Sequence, residues 1–319
     1  MKIAKCIALL ILFSIPSQVA YTYQQNKAIN NALMHARSKA LISRFESAQA
    51  GYEEFRKTVY KEPFEHGVFI VNGDTPIVDE EELKEFYYRE IVREWKSTKF
   101  GIQLDANDPF AIIDTDNGKP VTWSSAEKKN LSYCVSRTFA DKYETVVKAL
   151  RLAADAWENS SDVKYVHISS LDQNCDSSTK GVVFDVRPVD VGRKYFARAF
   201  FPKSDRTKRN ILINKSAFTL EKDGPHKLTL VGILRHELGH TLAFRHEHIR
   251  PEAGQCIEDT KWEPVTDYDA FSVMHYPTCN DLVDWTLNLT AMDKIGAACL
   301  YGPKPGTSFS THLCKKNFM

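Results

Sequence analysis

The sequence predicts an α/β domain that follows a mainly helical N-terminal region. Its 319 residues are 43% apolar and 26% charged, a length and balance typical of one larger folded domain with appendages. Four strand-like runs between residues 163 and 213 follow an amphipathic helix over 140–157 and precede a helix that ends near residue 243. Strands placed between an early and a late helix favour a layered α/β sheet domain.

The N-terminal region contains two predicted helices on either side of a short hairpin. Residues 22–60 are polar with recurring apolar residues, and 79–97 open with acids and continue with apolar residues at helical spacing. Between them, 67–78 predict two short extended stretches joined by a turn at Asn72 and Gly73. Residues 105–120, rich in Asp, Asn and Pro, are typical of a linker.

The first twenty residues have the layout of a secretory signal peptide, with an uncleaved membrane anchor as the alternative. Two lysines precede an apolar run of about ten residues, whereas a membrane-spanning helix needs ~20. We therefore expect no stable membrane insertion after signal removal and a secreted protein, extracellular or periplasmic. The predicted organisation is a signal peptide over 1–20, the helical region over 21–118, the α/β domain over 119–302 and a tail over 303–319.

The charge balance speaks against a nucleic-acid partner. Forty-two Lys and Arg against 41 Asp and Glu leave a formal charge of +1. Nucleic-acid binding depends on clustered Lys and Arg that neutralise phosphates, and this composition offers no such excess.

Residues 236–240 read His-Glu-x-x-His, the pattern of a zinc-binding protease helix. Positions i and i+4 lie about 40° apart around a helix, so both imidazoles can reach one ion at about 2.0–2.1 Å. Glu237 can then hydrogen-bond a metal-bound water and take its proton. A helix with surface histidines is the alternative interpretation.

A third histidine, His246, follows six residues after His240. A continuing helix would turn it about 240° away, so the chain must leave the helix near residue 243 for His246 to face the metal.

The motif HELGHTLAFRHEH, residues 236–248, resembles the elongated zinc signature of the metzincin metalloproteases. Residues 272–276, Ser-Val-Met-His-Tyr, resemble their Met-turn in the form found in astacins and serralysins. ARAFFP at 197–202 resembles the substrate-binding edge strand of matrixins, and LTAMDKIGAACLYG at 289–302 resembles their closing helix. The resemblance covers about residues 122–302 and implies a twisted mixed sheet with an antiparallel edge strand, a backing helix and a zinc helix.

The resemblance implies one Zn²⁺ cofactor held by three ligands, His236, His240 and His246, with Glu237 as general base. It implies that Met274 lies beneath the metal. It also implies that Tyr276 lies near the zinc, as a ligand that can swing away to hydrogen-bond the transition-state oxyanion. An ordinary core or rim position is the alternative for Tyr276. In astacins the residue at Glu247 pairs with the mature amino terminus, and a local ion pair with Arg250 is the alternative here.

Two positions depart from the family pattern. Ala243 replaces the glycine at which metzincin helices usually end, and a positive φ there would cost alanine roughly 1 kcal/mol. Arg198 stands where matrixins carry a histidine for a second, structural zinc, so we expect no such site.

The predicted function is that of a secreted zinc endopeptidase, a monomer acting on protein or peptide substrates. One alternative is a secreted zinc- or peptide-binding inactive homologue or adhesin, which would have no need of Glu237 as a base. The other is a non-proteolytic zinc amidase.

Six cysteines follow the signal peptide, and an even count in an exported chain indicates disulfides, although buried free thiols are the alternative. Six cysteines allow fifteen pairings. We expect Cys256 to bond Cys279 across the segment that enters the Met-turn. Cys134 with Cys175 is the next expected pair, and Cys299 with Cys314 would hold the tail.

The N-terminal region is a possible propeptide that keeps the enzyme latent, or a permanent accessory domain. It lacks a cysteine between the signal and Cys134, so a thiol on the zinc is unavailable. Val71-Asn72-Gly73-Asp74 resembles the astacin propeptide motif that places an aspartate on the metal. The alternative is a simple hairpin turn, for which Asn-Gly is a common signal.

Overall fold

The computed structural model describes residues 48–64, 67–88, 112–116, 119–220, 227–250, 253, 262–279 and 284–314. The predicted signal peptide, most of the first predicted helix and Cys256 lie outside these residues. The chain divides into two compact units, Met1–Thr58 and Val59–Met319. In the first unit, helix α1 covers Ala48–Thr58. The predicted division at residue 118 stays a prediction.

The second unit begins with a small antiparallel sheet. Its strands are β1 (Tyr60–Lys61), β2 (Phe69–Val71) and β3 (Thr75–Ile77), in that order. Helix α2 (Glu80–Phe86) follows, and its cap is Asp79, whose carboxylate accepts the amides of Glu81 and Glu82. The hairpin predicted for 67–78 is therefore present within the region predicted to be mainly helical, and the rest of the helix predicted to reach 97 lies largely outside the described residues.

Two short strands, β4 (Ile112–Asp116) and β5 (Lys119–Pro120), lead into the central sheet. The central strands are β6 (Leu131–Val135), β7 (Tyr165–His167), β8 (Phe184–Val189), β9 (Ala197–Arg198) and β10 (Asn210–Asn214). Their order is β7-β6-β8-β10-β9, and every pairing is parallel except that of β9 with β10. The predicted mixed sheet with an antiparallel edge strand is confirmed.

Two helices cover one face of this sheet. Helix α3 spans Tyr143–Glu158 and helix α4 spans Leu230–Thr241. Helix α3 begins three residues later than predicted, because Ala140 has φ 52° and interrupts the preceding turns. Apolar side chains of both helices share one core with β6, β8 and β10, including Leu150, Trp157, Leu234, Leu238, Val186 and Ile211.

The chain ends with two further elements. Strand β11 (Trp262–Pro264) pairs antiparallel with β4, and helix α5 (Ala291–Tyr301) is the predicted closing helix. None of the described helices is long and apolar enough to cross a bilayer.

Two of the expected disulfides are confirmed, Cys134–Cys175 and Cys299–Cys314. Cys279 is also disulfide-bonded. Its expected partner, Cys256, lies outside the described residues, so that pair stays a prediction. Disulfides fit an extracellular protein, because they persist in oxidising compartments.

Candidate metal centre

Three histidines and one aspartate converge in the interior of the second unit. The Nε2 atoms of His246 and His236 are 3.2 Å apart. Asp74 Oδ1 lies 3.1 Å from His246 Nε2 and 3.8 Å from His240 Nε2, and Asp74 Oδ2 lies 3.4 Å from His236 Nε2. All four side chains are buried, and their ligand atoms lie within 4.8 Å of one another.

Helix α4 and the turn after it position the three imidazoles. His236 and His240 lie one turn apart on α4, which ends at Thr241. Ala243 then has φ 73°, and the amide of Phe244 donates to the Gly239 carbonyl. This left-handed residue reverses the chain and brings His246 back beneath the helix, as the sequence predicts for a break near residue 243.

Backbone carbonyls orient two of the imidazole rings. His236 Nδ1 donates to the carbonyl of Val273 at 2.7 Å, and His240 Nδ1 donates to that of Phe244 at 2.8 Å. Because a carbonyl oxygen can only accept, each Nδ1 carries the proton and each Nε2 directs its lone pair into the cluster. Burial lowers the pKa of His240 well below its usual range, which favours the neutral, metal-binding form.

Aromatic side chains donate hydrogen bonds to carbonyls in the C-terminal half of α4 and at the residue that follows it. Four donors serve this end of the helix: Trp157 Nε1 to Arg235, Tyr165 Oη to Leu238, Trp123 Nε1 to Thr241 and Tyr301 Oη to Leu242. These contacts come from distant parts of the chain and hold the helix end, and so the histidines, in one place.

The Met-turn packs against α4 and is held by α5. The Asp293 carboxylate accepts from Ser272 Oγ at 2.5 Å and from the Val273 amide at 2.9 Å, while it also caps α5. A Cβ atom added to Gly239 would lie 2.3 Å from Met274 Sδ. The glycine therefore permits the methionine to approach the backbone of α4 directly.

A tight turn carries Asp74 into the cluster. Asn72 has φ 53° and Gly73 has φ 96°, so both adopt the left-handed conformation that suits Asn and Gly. The Tyr276 hydroxyl donates to Asp74 Oδ2, and a Cβ atom on Gly73 would lie 3.0 Å from the Tyr276 ring. The segment that carries Asp74 therefore forms the predicted hairpin turn. The same segment also places the Asp74 carboxylate beside the histidines, as the alternative interpretation of this motif predicts.

The cluster fits a zinc ion. Two tetrahedral ligands at 2.0–2.1 Å from one zinc lie roughly 3.3 Å apart, close to the observed 3.2 Å between Nε2 atoms. His240 Nε2 and Asp74 Oδ1 are buried without a hydrogen-bond partner among the described residues, a cost that a bound cation would remove.

Residues 122–253 match the family model of the matrixins. This match supports a zinc metallopeptidase of the metzincin type. The solved structure of myroilysin aligns with this chain at a TM-score of 0.40 and 12% identity, covering 62% of this chain and 100% of that chain. No curated protein matches the sequence.

Glu237 is buried beside the histidine cluster. Its Oε2 atom accepts no hydrogen bond from the described residues. Burial raises the pKa of its carboxyl well above the usual range, and the negative charge of Asp74 raises it further. This carboxylate oxygen, which accepts no hydrogen bond from the described residues, is available to a substrate or to a water molecule.

The sequence left two partners open for Glu247, the mature amino terminus and Arg250. In the structure Glu247 contacts Arg250. Its Oε1 atom lies 3.1 Å from Arg250 Nε and accepts the amide of Asp269 at 3.0 Å. Burial raises the pKa of the Glu247 carboxyl to about 8, and the charge of Arg250 opposes that shift.

Sequence reasoning did not identify Glu62, which pairs with Arg198 on the edge strand. Glu62 Oε1 accepts from Arg198 Nε at 2.6 Å, and Glu62 Oε2 accepts from Arg198 Nη2 at 2.7 Å. Glu62 lies in a stretch with no recognisable motif, so no local signal marks it. Arg198 was singled out only as the replacement of a zinc-binding histidine.

Proposed function

We propose that this chain is an exported zinc endopeptidase that hydrolyses peptide bonds in proteins. In this proposal His236, His240 and His246 bind the zinc, and Glu237 is the general base. One observation carries the proposal: three imidazole Nε2 atoms converge beside a buried carboxylate that has an unengaged oxygen. Backbone carbonyls orient the rings of His236 and His240.

Bound zinc would lower the pKa of a coordinated water toward about 7 and polarise the carbonyl of the peptide to be cut. Glu237 accepts the proton at its unengaged Oε2 atom and passes it to the leaving amine. Burial raises the pKa of this carboxyl and the charge of Asp74 raises it further, so withdrawal of Asp74 would favour the carboxylate form that can accept the proton. Tyr276 donates its hydroxyl to the oxygen on which negative charge develops.

Strand β9 is the proposed binding site for the substrate backbone. It is the last strand of the sheet order and pairs only with β10 among the described strands. An extended peptide can pair with the free N–H and C=O groups of such an edge, which holds a substrate without demanding a particular sequence. This arrangement favours proteins and peptides over small amides as substrates.

Asp74 is the proposed latency switch of the full-length chain. Catalytic zinc sites keep one position open, whereas four protein ligands make a closed site. With Asp74 beside the three histidines, all four positions have a protein candidate. Removal or withdrawal of the hairpin that carries Asp74 would open the fourth position to water and substrate.

The same four-ligand set also favours a second candidate, a zinc-binding homologue that never cuts. In that protein the hairpin would be a permanent part of the domain, and Asp74 would be a structural ligand. The buried, unengaged Glu237 favours the enzyme, because an ion-holding site has no use for it.

The test uses the Asp74→Ala chain, so that latency does not hide activity. It is incubated with a denatured protein, with and without a zinc chelator, beside the Asp74→Ala/Glu237→Ala double variant. We expect fragments only from the single variant without chelator. Cleavage by the double variant would refute the role of Glu237. A folded, zinc-loaded Asp74→Ala chain that cuts nothing would favour the non-catalytic candidate.

A further inference from the structure

Glu62 occupies a site built to hold a carboxylate, outside the histidine cluster. Both of its oxygens accept from the Arg198 guanidinium, and Oε1 also accepts from Tyr195 Oη at 2.5 Å. The remaining Arg198 nitrogen, Nη1, donates to Asn210 Oδ1 at 2.7 Å. Glu62, Arg198 and Asn210 are at most 3% exposed. The contact is therefore a two-pronged, desolvated ion pair whose polar atoms are matched.

Arg198 is directed to this site by the register of strand β9. Its neighbours Ala197 and Ala199 belong to the main core between the sheet and the helices. Because side chains alternate along a strand, Arg198 faces the opposite side of the sheet, where the hairpin segment lies. A buried arginine there would be costly without a carboxylate partner, because removing one member of a buried pair leaves an uncompensated charge.

An apolar contact surrounds the ion pair. Val68 and Ile70, which belong to the hairpin that carries Asp74, pack with Val191 and Tyr195. Tyr195 therefore contributes to both the apolar cluster and the carboxylate site. The two kinds of contact reinforce each other, since the apolar side chains exclude water from the ion pair.

Strand β2 connects this site to the histidine cluster. The Glu62 amide donates to the carbonyl of Val68, the residue just before β2, whereas Asp74 ends the turn that follows β2. The hairpin is thus attached on both sides of strand β2, through Glu62 before it and through Asp74 after it. Two linked attachments hold far more tightly than either alone, because the second binds at a high effective concentration once the first has formed.

We propose that Arg198, Tyr195 and Asn210 form a carboxylate-binding site whose ligand is Glu62, and that Glu62 positions Asp74 at the histidine cluster. This inference rests on the proposed latency of the full-length chain and adds a second anchor to it. Loss of the Glu62 carboxylate lets the hairpin detach, so that Asp74 withdraws although it is itself unchanged.

The experiment compares unprocessed full-length chains, checked by mass, for cleavage of a labelled denatured protein. The variants are Glu62→Ala, Asp74→Ala and the control Glu81→Gln, an exposed carboxylate on the same segment. We expect Glu62→Ala to be about tenfold or more as active as the parent chain, and Glu81→Gln to match the parent.

Each outcome decides between the two proposals. If the parent chain is as active as Asp74→Ala, the proposed latency fails, and if Asp74→Ala cuts nothing, the proposed enzymatic function fails, whatever Glu62 does. If Asp74→Ala is active and Glu62→Ala remains latent and folded, the second anchor is wrong. If Glu62 had a purely structural role, Glu62→Ala would have a lower melting temperature than the parent chain but no higher activity, and the second anchor would again be wrong. If Glu62→Ala does not fold, Tyr195→Phe is the second variant, because it removes one hydrogen-bond donor to the Glu62 carboxylate. Unchanged latency together with unchanged hydrogen exchange over 67–78 in Tyr195→Phe would overturn the proposal.

Discussion

Asp74 and Tyr276, which are 202 residues apart in the sequence, share a hydrogen bond at the histidine cluster. The Tyr276 hydroxyl is the donor that the proposed mechanism directs to the transition state. The same contact therefore places a carboxylate among the imidazoles and engages the hydroxyl. One side chain blocks two of the groups that the proposed reaction needs.

Asp74→Ala is expected to expose the metal to small zinc-binding inhibitors. A hydroxamate needs open positions on the zinc, and the carboxylate competes for them in the parent chain. We expect the variant to bind a hydroxamate about tenfold or more tightly, measured by calorimetry on the zinc-loaded chain. The control is Asp79→Ala, which loses only the cap of α2, worth about 1 kcal/mol. Equal affinity in the parent and Asp74→Ala chains would contradict the role given to Asp74.

Zinc content should distinguish variants of the three histidines, which are the proposed ligands, from variants of Glu237, which is the proposed base. Alanine at His236, His240 or His246 removes a proposed ligand, so zinc content should fall well below one per chain. Glu237→Gln should keep the metal and lose activity, because the amide cannot accept the proton. Metal analysis of dialysed, purified chains measures the first effect, and loss of zinc from Glu237→Gln would show that this residue is a ligand instead.

Tyr276→Phe tests the proposed hydroxyl in the active form. Its removal should lower kcat by roughly 10- to 1,000-fold with little change in KM, because the hydrogen bond would form to charge that develops in the transition state. The Asp74→Ala background makes the measurement possible without processing. Tyr268→Phe, which removes a hydroxyl that contacts His275 instead, is the matched control. A KM effect without a kcat effect would assign Tyr276 to substrate binding.

Gly239→Ala should displace the Met-turn from the zinc helix. The new methyl group would lie 2.3 Å from Met274 Sδ and 3.2 Å from Trp157 Cζ2 in a buried site, and overpacking of this kind typically costs 1–3 kcal/mol. Urea unfolding of the variant should show this loss. Met274→Ala in the same chain should restore part of it by vacating the space, whereas no recovery would place the cost elsewhere.

Ala243 should tolerate glycine and reject a β-branched side chain. Its φ of 73° is costly for any residue with a Cβ atom, and the cost is largest for valine. We expect Ala243→Gly to remain within about 1 kcal/mol of the parent, because relief of strain offsets the entropy of glycine in the unfolded chain. Ala243→Val should lose more stability and bind zinc less tightly, since His246 follows this turn. A valine variant as stable as the glycine variant would contradict this account.

Much of the α/β domain could be predicted from local patterns. The apolar strands β7, β8 and β10 and the helical spacing of α3 are visible in short windows, because side-chain period follows backbone geometry. The break after α4 could also be predicted, since His246 cannot reach the metal from a continuous helix. The start of α3 at Tyr143 could not be predicted, because the kink at Ala140 has no local sequence signal.

The sequence by itself determined the chemistry of the centre: a His-Glu-x-x-His helix, a third histidine after a chain reversal, and a methionine turn to pack beneath them. The tertiary structure alone decided which distant groups meet that centre. Asp74 reaches the imidazoles only because the β2–β3 turn is docked there, and Glu62 finds Arg198 only because β9 directs that side chain outward. The physical reason is that backbone periodicity is a local property, whereas an ion pair or a ligand set depends on contacts between segments far apart in the chain.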